Sequence, residues 1–126
     1  MSEILCLELS IALWFAHIVV QGIFATRSLG ARYLASARDE QHELGGVSYA
    51  RATRALRNYI ENLVPFAAVD LGLLVTHHAP EWGATIWIVA RILYLPAYVT
   101  GLSPGRSVLW VVSVVGLLIM LVSLAL

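Results

Sequence analysis

The chain has 126 residues, no more than one domain's length, with 60% apolar and 13% charged residues, against about a quarter charged in a soluble domain. Positive and negative charges cancel to zero, and every fixed positive charge is an arginine, since lysine is absent. There is therefore no basic footprint for nucleic acid. The composition also excludes a disordered chain, a collagen and a coiled coil. The single cysteine, Cys6, excludes an intrachain disulfide and a cysteine-based zinc centre.

A membrane-crossing helix needs about 20 mostly apolar residues. Four stretches approach that length, and they predict helices over about 3–33, 48–76, 82–102 and 107–126. The expected fold is all-α: one integral membrane domain over residues 1–126, built as a four-transmembrane-helix bundle. The first stretch is apolar from Ile4 to Ala25 and carries Glu3 and Glu8 but no arginine at its start. A signal peptide begins with positive charge, so this stretch reads as a retained helix. His17 and Gln21, at i and i+4, read as interhelical hydrogen-bonding groups.

A polar loop over about 36–47 follows, and then a second helix that begins polar and turns apolar from Leu63 to Val75. The turn Thr76–Pro80 holds His77 and His78. Adjacent histidines point apart and lack a third ligand, so no metal site is expected. Trp82, Trp87 and Trp110 read as interface or lipid-facing residues. Pro65 and Pro96 fall inside apolar helices and are expected to kink them and free carbonyls. The turn Gly101–Gly105 ends in Arg106-Ser107, with Ser107 in the position of an N-cap for the fourth helix.

The arginines orient the bundle. Arg27, Arg32, Arg38, Arg51, Arg54 and Arg57 surround the first connection, and Arg106 lies in the third. Four crossings put both connections on one side, and the positive-inside rule makes that side cytoplasmic. Both termini then face outward. Such a protein is expected in a bacterial inner membrane.

The polar residues within the helices suggest a site. Arg54, Arg57, Asn58 and Glu61 stand at i, i+3, i+4 and i+7, one face of the second helix. Charges there need partners or water. One reading is an internal ion-pair network, with Arg57 and Glu61 paired. The other is a pocket for a small zwitterion: guanidinia take its carboxylates, Glu61 its amine, and Asn58 either donates or accepts. Arg91, Tyr94 and Tyr98 share one face of the third helix. Arg91 lies near mid-membrane and needs a partner, for which Glu61 and Asp70, on opposite sides of the second helix, are the acidic candidates. A helix N-terminus beside Arg106 favours an anion.

The run from Arg54 through Arg57-Asn58 and Glu61-Asn62 to Pro65-Phe66 resembles the second-helix signature of the MAPEG family, the membrane-associated proteins in eicosanoid and glutathione metabolism. Ala90-Arg91-Ile92, Ala97-Tyr98 and Arg106-Ser107 are similar to that family's third helix and the start of its fourth, and the resemblance covers nearly the whole chain. It implies a homotrimer of four-helix bundles in the lipid bilayer, with glutathione as co-substrate in a cleft between neighbouring subunits. By position, Arg54, Arg57, Asn58, Glu61, Arg91, Tyr94, Tyr98 and Arg27 would hold the tripeptide. Arg106 would stabilise its thiolate, with Ser107 beside it. Many glutathione-using members carry histidine where this chain has Tyr94.

A thiol of pKa near 8.5 is mostly protonated at neutral pH. Favouring its thiolate by two pKa units takes about 2.7 kcal/mol, an energy that a guanidinium in a partly dry cleft can supply. The resemblance thus implies a membrane-bound glutathione transferase or peroxidase that attacks hydrophobic small molecules. The alternative is a non-catalytic member of the same fold that binds lipid or a partner. A transporter is disfavoured, because the outer half of the second helix is apolar apart from Asp70 and the fourth helix has almost nothing polar.

Overall fold

The computed structural model describes residues 1–39, 46–78 and 82–126. Residues 40–45 of the 36–47 loop, and the Ala79 and Pro80 end of the 76–80 turn, therefore lie outside the described residues. The described residues form helices and turns without a strand. The helices are α1 (Glu3–Leu29), α2 (Ala31–Ala35), α3 (Val47–Val75), α4 (Trp82–Thr100) and α5 (Ser103–Ala125). By length and composition α1, α4 and α5 can cross a membrane. α3 is the longest helix, but its first half carries Arg51, Arg54, Arg57 and Glu61.

Local chemistry sets the helix ends. Ser2 caps α1 by accepting from the Leu5 N–H at 3.3 Å, and Glu3 and Arg27 lie at the ends that the helix dipole favours. α1 stops at Leu29 instead of running to 33, because Gly30 adopts φ 81° and separates the single turn α2. α5 begins at Ser103, before the expected 107, with Leu102 as N-cap and Pro104 in its first turn, where the missing N–H costs nothing. Ser107 therefore sits in the second turn and donates Oγ to the Ser103 carbonyl at 3.4 Å; it does not cap the helix.

α4 packs most extensively on α5 and α1 on α3, and α3 also touches both α4 and α5. Each helix buries one stripe. On α3 it is Ala52, Ala55, Tyr59, Phe66 and Leu73; on α4 it includes Ala84, Trp87, Ile88, Arg91 and Leu95. Where α4 crosses α5, Gly83 and Gly116 face one another so closely that a Cβ on either would lie 2.7 or 2.8 Å from the other's carbonyl oxygen. The absence of two side chains is what lets the backbones meet.

The centre is aromatic. Phe66 stacks on Trp87 at 3.8 Å, Tyr59 lies 5.9 Å from Trp87, and His17 stacks on Tyr59 at 4.4 Å. The Tyr59 hydroxyl donates to the Ser10 carbonyl at 2.6 Å, tying α3 to α1. Two expectations are corrected here. Trp87 is fully buried and faces no lipid, since it shares the inner stripe with Ala84 and Arg91. His17 bonds within α1, through Nδ1 to the Leu13 carbonyl at 2.8 Å, because stacking on Tyr59 fixes its ring along its own helix.

At the opposite end of the α4–α5 pair from the glycine crossing, Gly101 forms the connecting turn at φ 82°. The Arg51 guanidinium of α3 covers it, 2.6 Å from where a Cβ would stand.

Candidate functional site

α4 reaches the Gly101 turn with two tyrosines one helical turn apart. Tyr94 and Tyr98 lie 5.4 Å apart at 57°. Arg106, in the first turns of α5, folds back over the Tyr98 ring with its Cζ 4.7 Å from the centroid. Arg91, one turn deeper, lies 5.2 Å from the Tyr94 ring and 5.8 Å from the Trp87 ring. The result is a ladder of guanidinium, ring, ring and guanidinium, in which each cation meets an electron-rich face.

Beside this ladder is an open cleft of about 480 Å³, lined by Asn58, Tyr94, Tyr98, Arg106, Ser107, Trp110 and Val111. Three helices build it: α3 through Asn58, α4 through the tyrosines, and α5 through the rest. Trp110, expected at an interface or facing lipid, lines the cleft, and Val111 was not singled out in the sequence. The signal lay in their spacing, since both share the α5 face of Ser107 at i+3 and i+4.

The expected site residues divide into three groups. Asn58, Tyr94, Tyr98, Arg106 and Ser107 come together in the cleft. Arg91 stands behind it, fully buried, and neither Glu61 nor Asp70 is its partner: its Nη1 donates to Asn58 Oδ1 at 2.8 Å. The rotation of α3 turns Glu61 outward and places Asp70 in the core, where neither carboxylate oxygen has a hydrogen bond among the described residues. Arg91 Nε and Nη2 are also without hydrogen bonds.

The third group faces away. Arg57 Nε pairs with Glu61 Oε1 at 3.2 Å on the surface of α3, with side chains 82% and 58% exposed. An exposed i,i+4 pair of this kind contributes only about 0.3–0.5 kcal/mol. Arg54 is exposed on the same helix. Arg27 borders a different groove, apolar and formed by Phe24 of α1 with Leu95, Pro96 and Val99 of α4. Within one chain, therefore, the cleft holds Arg106, Ser107 and one wall of the expected tripeptide site, while Arg54, Arg57, Glu61 and Arg27 lie on outer faces.

The electrostatics of the cleft follow from this division. Arg91 and Arg106 form no ion pair with a carboxylate among the described residues, and the lining contains no acid. Two guanidinia close to a low-dielectric wall favour an anion. Tyrosine hydroxyls and the asparagine amide add neutral hydrogen-bonding groups. No group of three or more His, Cys, Asp or Glu side chains among the described residues could hold a metal ion.

No curated protein and no solved structure matches this chain. The MAPEG family profile does, over residues 5–126. With that match covering essentially the whole length, and with three helices apolar enough to cross a bilayer, the chain belongs to the MAPEG family of integral membrane proteins.

Proposed function

We propose that the protein is a membrane-bound, glutathione-dependent transferase or peroxidase that acts on hydrophobic small molecules. The observation that carries this reading is the acid-free cleft in which Arg106 and Ser107 face Tyr94, Tyr98 and Asn58. The family includes glutathione transferases as well as non-catalytic members, and glutathione brings two carboxylates and a thiol to such a site. Arg106 is the side chain best placed to stabilise a thiolate: its guanidinium is held by the Tyr98 ring and forms no ion pair among the described residues. The thiolate, once formed, would attack an electrophile or a peroxide carried in the bilayer.

The active form is a homotrimer with α3 as a fourth crossing helix. Arg57, Glu61, Val64, Ala68, Leu71 and Val75 all lie on the uncovered face of α3, spaced alternately by four and three residues. This is the 3.5-residue repeat of helices that pack against their own copies. Packing along that seam sinks the charged end of α3 between chains. It also brings Arg54, Arg57 and Glu61 of the assembly toward a shared site, where they would hold the charged ends of glutathione. Arg27 would reach that site from a neighbouring chain. The arginine-bearing end faces the cytoplasm and both termini face outward.

The test is glutathione binding to the detergent-solubilised protein, followed by ultraviolet thiolate absorbance as pH is varied. Saturable binding with thiolate present below about pH 7.5, well under the free-thiol value, is the expected result. No binding at millimolar glutathione sinks the reading and leaves a lipid- or partner-binding member of the fold.

A further inference from the structure

Asn58 is the one cleft residue whose side chain is also bonded to the buried core. An asparagine amide has one accepting and one donating end, and geometry alone often leaves open which faces a ligand. Here the partner decides. A guanidinium has five N–H donors and no acceptor, so the group facing Arg91 Nη1 at 2.8 Å must be the amide oxygen. Arg91 itself cannot turn away easily: it is fully buried, with its guanidinium between the Trp87 and Tyr94 rings. The backbone carbonyl of Asn58 is also occupied, because it accepts from Asn62 Nδ2 at 2.8 Å.

We propose that Arg91 is a positioning residue that locks the Asn58 amide with its NH2 toward the cleft, so that this wall selects a hydrogen-bond acceptor on the ligand, a carboxylate or an amide carbonyl, and refuses an ammonium group. The inference rests on the glutathione reading above and narrows it. Of the tripeptide's charged ends, it is a carboxylate that sits at Asn58, and the amine must be held elsewhere in the assembly. Arg91 lines none of the cleft, so its only hydrogen-bonded link to a ligand there runs through Asn58. Its charge adds to the same preference, since no carboxylate among the described residues pairs with it.

Asn58→Asp separates this role from a structural one. The aspartate still accepts from Arg91, now as a charge-assisted bond, but it presents an oxygen to the cleft in place of the NH2. The detergent-solubilised variant should melt at or above the wild-type temperature, whereas Asn58→Leu, which leaves Arg91 Nη1 bare, should melt lower. Glutathione affinity should fall roughly ten- to a hundredfold in Asn58→Asp, the range for losing a hydrogen bond to a charged group. Removing the amino group from glutathione should leave that loss unchanged, and removing one of its carboxylates should abolish it. Arg91→Met should weaken binding although the residue touches no ligand, and Arg91→Lys should restore part of it.

If Asn58→Asp melts as low as Asn58→Leu, the amide is not held by its oxygen and the assignment is overturned. A binding loss that disappears with the amine would place an ammonium group at Asn58 and overturn it equally. If the wild-type protein binds no glutathione, the functional reading fails, while the pair of melting temperatures still decides how Asn58 is held.

Discussion

At the scale of single residues, the proposed function gives the cleft groups that would hold a ligand and one that would activate it. Arg106 rests on the face of Tyr98 and bonds to no carboxylate among the described residues, so its removal leaves no buried charge unpaired. Arg106→Ala should therefore fold and bind glutathione weakly, yet show no thiolate absorbance at neutral pH, with turnover lower by about 10²–10³, as for the loss of one charge-stabilising donor. An unchanged thiolate signal would move the stabilising role to another side chain. Much of this site was legible in the sequence, because Tyr94, Tyr98, Arg106 and Ser107 follow one another across a single short turn. The partner of Arg91 was not legible. Helical spacing fixes which residues share a face, but the rotation of α3 against α4 is set by the packing of Tyr59 and Phe66 on Trp87. That rotation, with Phe66 stacked on Trp87 and Tyr59 tilted against it, brings Asn58 to Arg91, where charge alone pointed to Glu61 or Asp70.

At the scale of elements, α3 is the helix with two lives. Its inner stripe of Tyr59, Phe66 and Leu73 fills the core, while its outer stripe is exposed among the described residues. Leu71 is 49% exposed at the apolar middle of that outer stripe. Leu71→Glu should leave the single-chain bundle helical but convert the proposed trimer to smaller species, read by native mass spectrometry or sedimentation in detergent. A variant that stays trimeric would show that the chains meet along other helices. The amphipathic first half of α3 was readable from its Arg and Glu spacing. The start of α5 was misjudged because Ser107 looks like a cap in isolation, whereas Pro104 allows the helix to begin one turn sooner. Trp87 was misplaced for a related reason: tryptophan favours membrane interfaces on average, but its rotation about α4 puts this one inside.

At the scale of the whole molecule, seven of the eight arginines lie along 27–57 or at 106, and Arg91 is the exception in the core. The proposed orientation places all seven on the cytoplasmic side. Cys6 is buried, so the native chain offers no accessible thiol. Single cysteines introduced at the exposed positions Arg38 and His77 in intact cells then report the sides directly. A membrane-impermeant maleimide should label position 77 and spare position 38 until the cells are lysed. The reverse pattern would invert the bundle and put the cleft on the outer face.

The clasp at Gly101 also predicts how the gene should tolerate mutation. That glycine is required by its backbone angle of φ 82°, which L side chains rarely adopt, and a side chain there would also have to displace the Arg51 guanidinium. Gly105, four residues on, has open space around it and an ordinary helical setting. In a saturation library selected for assembled protein, codon 101 should return glycine almost alone. Codon 105 should return alanine, serine and larger residues. Two identical letters four residues apart would then differ in their freedom to drift, and the difference traces to the backbone angle that the turn imposes on the first.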